Sequence, residues 1–203
     1  MRKLLNHYFF FNLYQLIIGS TNWHKRYAKN FIIPHIKDIP APTILDFGCG
    51  TGNIIKQLPQ NIEYTGIDYS KNYIDYDCKK FPKHTFICQS ATEDINLNKT
   101  FNLIISEALI SNFDDENVYL ILKNILKHSN KDTKIVISEM NYKIGNSKIE
   151  NYLLSHERGS HTRGKDEYIK LLSKYFKINN VAEIDNPYRI PYKKAVFECS
   201  PLL

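Results

Sequence analysis

The residue types that could do chemistry in this chain gather behind a short apolar run. In TILDFGCGTGN (residues 43–53) the run contains Asp46 and gives way to Gly48, Gly50 and Gly52 at alternate positions. Side chains are dropped like this where a ligand has to approach the backbone. A second acid, Asp68, closes YTGID 22 residues further on, and a carboxylate there can take hydrogen bonds from two neighbouring hydroxyls. A nucleoside triphosphate loop is excluded, because no Lys-Ser/Thr pair follows the glycines. The dinucleotide fingerprint also fails, because Asn53 stands where its last glycine belongs. What is left is a nucleoside without a pyrophosphate, with Asp68 on its ribose.

The elements that must carry these groups alternate. IPAPT (residues 39–43) breaks the chain after N-terminal helices and launches a strand over 44–47. The pattern predicts a helix over 53–58, a strand over 62–67, a helix over 70–79 with Ser70 as N-cap, and strands over 85–88 and 101–106. Residues 115–128 read as a helix on Val118, Leu122, Ile125 and Leu126, followed by a buried strand over 134–138. Residues 141–163 are polar and irregular, with a short helix around 149–154. A helix over 165–175 and strands over 177–183 and 195–199 close the chain. Strands apolar on both faces and separated by helices predict an α/β, doubly wound, mostly parallel sheet with helices on both faces. Residues 184–194 are too few for a parallel crossover, so the last two strands should be antiparallel. The glycine loop then falls at the carboxyl end of the first strand, where such sheets bind ligands.

Taken together, ILDFGCGTGN and YTGIDYS resemble the class I S-adenosylmethionine-dependent methyltransferases, whose acid-x-Gly-x-Gly-x-Gly loop and second-strand acid share this spacing and order. The strand pattern extends the resemblance over roughly residues 43–200. It implies a Rossmann-like seven-stranded sheet with an antiparallel last strand, S-adenosyl-L-methionine as cofactor and methyl transfer as activity. By position, Asp46 and the backbone of Gly48 would hold the methionine end. Gly50 and Gly52, with Cys49 and Asn53 in the same loop, would let the chain pass beneath the cofactor. Asp68 would take the ribose hydroxyls and Tyr69 would lie along the adenine. CQSATEDI occupies the third-strand segment, with Ala91 where an acid commonly meets the adenine amine, which leaves Ser90, Thr92 or Glu93 as substitutes. IISEALISNF fits the fourth-strand motif and would place Glu107 and Ala108 beside the methionine and the methyl group. Ser111 and Asn112 stand where histidines often follow.

Composition narrows the partners. The 203 residues, 43% hydrophobic and 24% charged, are read as one methyltransferase domain over 1–203, with 1–40 as a helical lid and 141–163 as a substrate-facing insertion. The net charge is +6, but the lysines are spread along the chain, so no clustered basic face for nucleic acid is expected. No segment approaches the roughly 20 apolar residues of a membrane span. The N-terminus imitates a secretion signal, yet Asn6, His7, Asn12 and Gln15 interrupt it. Leu5, Tyr8, Phe9, Leu13, Leu16 and Ile17 instead recur at helical spacing and predict an amphipathic helix packed on the domain. Cys49, Cys78, Cys88 and Cys199 form no CxxC pair and have no His at ligand spacing. Reduced thiols, a cytoplasmic location and no metal are expected. A homodimer is admitted.

The activated methyl donor leaves the protein mainly the task of aligning an acceptor, with a base needed for a hydroxyl or a protonated amine. The N-terminal helix with Tyr14, the insertion with SHERGSHTRG, and NPYRIPYKK with Tyr188 and Arg189 would shape the acceptor pocket. His156, Arg158, His161 and Arg163 read either as a solvated loop or as a lid gripping an acidic acceptor with guanidinium forks. His161, beside Glu107, is the candidate base. The C-terminal run is similar to small-molecule methyltransferases of biosynthetic clusters. The place of the Asn/Asp-Pro-Pro-Tyr/Phe motif of RNA and DNA amino-methylating enzymes reads SEALISNF instead. The alternatives are a protein or RNA methyltransferase and a non-catalytic cofactor-binding subunit.

Overall fold

A computed structural model describes residues 7–141 and 161–202. The expected helix around 149–154, together with Leu5, His156 and Arg158, lies outside the described residues. Seven strands, β1 (Thr43–Phe47), β2 (Glu63–Asp68), β3 (Thr85–Cys88), β4 (Leu103–Glu107), β5 (Lys134–Met140), β6 (Phe176–Asp185) and β7 (Lys193–Pro201), make one sheet in the order β3-β2-β1-β4-β5-β7-β6. β1 to β5 pair in parallel. β7 runs antiparallel between β5 and β6, as the short connection requires. The strand order reverses on either side of β1, so a crevice opens at the carboxyl ends of β1 and β4.

Alternation along the strands divides the apolar residues between two cores. Leu45, Phe47, Ile104, Ile135, Ile137 and Phe197 face α5 (Asp115–Lys127) and α6 (Lys165–Leu172). Ile44, Leu103, Ile105, Val136 and Val196 face α2 (Ser20–Tyr27), which contributes Trp23 and Tyr27, α3 (Ile33–Ile36), which contributes Ile36, and α4 (Lys71–Lys80), which contributes Ile74. Residues of the same parity continue onto this second face. Asp46 follows Ile44, Glu107 follows Ile105, Ser138 follows Val136, and Lys194 precedes Val196. The polar groups described below therefore share one side of the sheet.

α5 forms for local reasons. Val118, Ile121, Leu122 and Ile125 are buried at helical spacing, and the Asp114 carboxylate caps the N-terminus by accepting from Asn117 N at 2.9 Å. Elsewhere the expectations needed correction. The predicted 53–58 helix is one 3₁₀ turn, Ile55–Gln57, because Leu58 precedes Pro59 and is held extended (φ −96°, ψ 157°). Ser70 is the N-cap of α4 by position, but its hydroxyl makes no cap hydrogen bond. The 165–175 helix stops at Leu172, four residues before Phe176 is pulled into β6.

The largest correction concerns α1 (Tyr8–Ile18). The helix forms as expected, with His7 as N-cap and Gly19 (φ 77°) as a left-handed C-cap. It is turned the other way, however. Tyr8 stacks on Tyr76 with ring centres 4.6 Å apart, and Phe11 meets Tyr73 at 5.1 Å. Asn12 Oδ1 accepts from Thr51 Oγ1 at 2.8 Å and from Asn53 Nδ2 at 3.2 Å. These contacts set the rotation, so Phe9, Leu13, Leu16 and Ile17 point into solvent. The polar Asn12 that interrupts the apolar run is what ties α1 to the glycine loop.

Candidate active site

The glycine loop leaves β1 with Gly48, Gly50 and Gly52 at φ 78°, 60° and 59°, a left-handed region in which a side chain would be strained. A Cβ on Gly52 would also lie 2.9 Å from the Phe81 ring and 3.3 Å from Asp77 Oδ1. Gly48 N and Cys49 N donate to Ile67 O at 2.8 and 3.0 Å, fastening the loop to the end of β2. Asp68 completes the fastening, accepting from Gly50 N at 3.0 Å and Ser70 N at 2.8 Å. Cys49 is packed against Gly66, and burial pushes its thiol well up, so it is inert.

Three carboxyls converge here. Asp46 is buried and accepts from Tyr64 Oη at 2.5 Å. Burial pushes its pKa up to about 7 against that hydrogen bond, with the charges of Glu107 and Asp68 adding to the rise. Asp77, below the loop on α4, has both carboxyl oxygens buried without a partner, and burial and Asp68 raise it to about 8. The carboxyl ends of β1 and β2 thus gather buried carboxyls that lack a counter-charge, and Asp46 and Asp77 hold protons into the neutral range for that reason.

Glu107 is no solvated loop acid. Its carboxylate accepts from Trp23 Nε1 and Lys194 Nζ, and His24 Nε2 lies 3.4 Å from Oε2. Burial alone would raise its pKa, but Lys194 and His24 outweigh that and hold it well below the usual carboxylate range. Lys194 is fully buried, 3.4 Å from Ser138 Oγ, with its Nζ 4.9 Å from the centre of the Trp23 ring and 5.6 Å from that of Tyr188. Next to this cluster Tyr27 Oη is buried with no hydrogen-bond partner, and Glu107 and Asp46 both act on it electrostatically. Ala108 sits at φ 53°, its amide donating to Ser138 O at 2.8 Å. Glu139 ties down the following turn by accepting from the amides of Leu109, Ile110 and Ser111.

The remaining sequence candidates divide. Tyr188 joins the Glu107 cluster, and its ring meets that of Trp23 at 6.4 Å. Arg189 lies over Gly19 and donates from its amide to Ile18 O at 2.8 Å, and Tyr14 is half-buried on α1. Tyr69 is exposed at the end of β2. Ser90 and Thr92 hydrogen-bond each other at 2.9 Å, and buried Ala91 O accepts from Asn124 Nδ2 at 2.9 Å. Arg163 must be corrected. All five of its N–H donors are used within the protein, on Asp115 Oδ1 and on the carbonyls of Ile110, His161 and Phe113. It staples α5 to the turn after β4 and has no fork left for an acceptor. His161 is exposed, with its amide donating to Ser111 O.

A methyltransferase domain profile matches residues 44–132. Solved structures share the fold. One is an S-adenosylmethionine-dependent methyltransferase from Clostridium acetobutylicum, at 15% identity and TM-score 0.70, covering 94% of this chain and 97% of that one. Another is an N-methyltransferase from Bradyrhizobium japonicum in complex with S-adenosyl-L-homocysteine, at 12% identity and TM-score 0.66, covering 89% and 88%. A third is a mitomycin 7-O-methyltransferase, at 14% identity and TM-score 0.72, with 90% of this chain covering 54% of that longer chain. No curated protein matches the sequence significantly. Residues 44–132 thus carry a methyltransferase domain, on a fold shared with these S-adenosylmethionine-dependent enzymes.

The chemistry of the site fits that cofactor. A methyltransferase must hold a sulfonium and an ammonium, and the uncompensated carboxyls around Asp46 favour cations. The glycine cradle admits close approach of a ligand, and the orphaned Tyr27 Oη offers a polar contact inside the site. Sequence reasoning missed Trp23, His24, Tyr27 and Lys194. They lie 84, 83, 80 and 87 positions from Glu107, and a lysine in an alternating strand reads as solvent-facing. The available signals were the WHKRY run, in a segment already expected to cover the pocket, and the lysine that ends NPYRIPYKK.

Proposed function

We propose that this methyltransferase transfers the methyl group of S-adenosylmethionine to a small-molecule acceptor carrying a hydroxyl or amine. The carrying observation is that Glu107, at the end of β4, is roofed by Trp23, His24, Tyr188 and Lys194 instead of opening on a flat surface. A roofed site suits a small acceptor better than a folded macromolecule. α1 and α2 act as its lid. Asp46 and Gly48 hold the methionine end of the cofactor, Asp68 takes the ribose hydroxyls and Tyr69 offers its exposed ring to the adenine.

The bound cofactor supplies an already activated methyl group, so alignment of the acceptor is the protein's main contribution, worth about 7–11 kcal/mol at best. His24 takes over the base role first assigned to the exposed His161. The Glu107 carboxylate, 3.4 Å from His24 Nε2, favours the proton on that nitrogen, which leaves Nδ1 with a lone pair for the acceptor proton. Such a base contributes about 10²–10⁴-fold.

The test combines binding and turnover. S-adenosylmethionine or S-adenosylhomocysteine should raise the melting temperature, and Asp68→Ala should abolish most of that rise. In an acceptor screen that monitors S-adenosylhomocysteine, His24→Gln should lower kcat about 10²-fold or more and leave the thermal shift intact. Turnover of protein or RNA in place of small molecules would overturn the reading.

A further inference from the structure

The reversed face of α1 has to be accounted for. Of the eight large hydrophobic side chains exposed among the described residues, five lie on this one helix: Phe9 at 57%, Phe10 at 37%, Leu13 at 45%, Leu16 at 64% and Ile17 at 62%. Positions 9, 13, 16 and 17 fall on one stripe at helical spacing. The 11-residue helix carries no charge of its own. The charge around it is one-sided. Residues 1–37 contain Arg2, Lys3, Lys25, Arg26, Lys29 and Lys37 and not one acid, and the rest of the chain balances 21 basic against 21 acidic residues. The whole net charge of +6 therefore sits in the N-terminal 37 residues, the part of the sequence that bears the apolar stripe, although the lysines look evenly spread along the chain. Lys25, Arg26 and Lys29 are exposed just beyond α1, and Arg189 folds over Gly19 with its Nη1 3.5 Å from Ile17 O, at the end of the stripe.

We infer that this face is a docking surface for an anionic lipid bilayer. An uncharged amphipathic helix with Phe, Leu and Ile on one side and cations at its end lies in the membrane interface with its apolar side among the acyl chains. Each cation near an anionic surface adds attraction. At 11 residues the helix is about 16 Å long, so it rests in the plane of the bilayer and does not cross it. A second copy of the chain is the poorer occupant. A two-fold contact sets the same patch against itself, which would face two acid-free segments of six cations toward each other. An anionic surface complements both the apolar stripe and the charge. Because the inner side of α1 rests on the glycine loop through Phe11 and Asn12, docking would turn the lid of the site toward the membrane. The inference stands apart from the assignment of the acceptor.

The full chain should float with vesicles of mixed zwitterionic and anionic phospholipid and stay behind with purely zwitterionic ones. Leu16→Ser with Ile17→Ser should weaken vesicle affinity about a hundredfold. Lys25→Gln with Arg26→Gln should weaken it about thirtyfold at low salt. In both variants an unchanged melting temperature and cofactor-induced shift would show that fold and cofactor site are intact. No binding to anionic vesicles, equal binding by the Leu16/Ile17 variant, or a stable dimer in solution that this variant dissolves would overturn the proposal.

Discussion

Replacing Lys194 by Met isolates the buried ion pair at the heart of the site. Lys194 has no exposed surface, and its ammonium is bonded to Glu107 and lies 3.4 Å from Ser138 Oγ. Met keeps an unbranched apolar stem and removes the charge, so packing changes little. Breaking a buried pair costs about 3–5 kcal/mol, because the remaining charge is stranded. Glu107 keeps 19% of its side-chain surface and a second partner in His24, so the lower end applies, about 3 kcal/mol. At roughly 2–4 °C per kcal/mol for a chain of this size, the melting temperature should fall by about 10 °C. The pH dependence carries the diagnosis. With Lys194 present the Glu107 pKa is depressed, so its contribution is in place above its ordinary value of 4.5 and fades only in more acid solution. Without Lys194, burial pushes the same carboxyl up. The deficit should then be largest at about pH 7–8 and shrink as protonation relieves it on acidification. Thermal unfolding followed by circular dichroism across pH measures this, and adding Glu107→Gln to Lys194→Met should recover most of the loss. A deficit independent of pH, or costs that simply add in the double variant, would refute the reasoning.

Two further outcomes follow from the same geometry. Asp46 has its pKa raised from 3.8 to about 7, so its contribution to the stability of the ligand-free protein is lost as pH rises through that window. A cationic cofactor prefers the ionised form, so its affinity should fall up to about tenfold per unit below pH 7. Calorimetry in buffers of different ionisation enthalpy should detect proton release on binding at about pH 6.5, absent in Asp46→Asn. Arg163→Lys should lower the melting temperature by about 5 °C or more, since a single ammonium cannot replace five bonds of a planar fork. Acceptor KM should not change, in contrast to the effect expected of a lid residue.

Much of this protein could be read along the chain because the physics involved is local. Asp46, the three glycines and Asp68 announce a ligand loop by spacing alone, since left-handed backbone needs residues without a Cβ. Continuous apolar runs in β1, β4 and β5 predict strands buried on both faces and hence parallel, and the short 186–192 connection forces β7 to turn back. Periodicity showed the α1 stripe but could not say which side faces inward. That was decided by Tyr8 and Phe11 stacking on α4 and by Asn12 reaching the glycine loop. Glu107 was visible as a candidate, yet its state depends on Trp23, His24 and Lys194, brought together from opposite ends of the chain by sheet pairing and helix packing. Arg163 looked like a cation waiting for a substrate until folding placed four acceptors around it, which take all five of its N–H groups. Spacing along a chain encodes backbone conformation and periodic burial. Whether a charged side chain is bound, buried or offered to a ligand depends on groups remote in sequence, and only the tertiary structure supplies them.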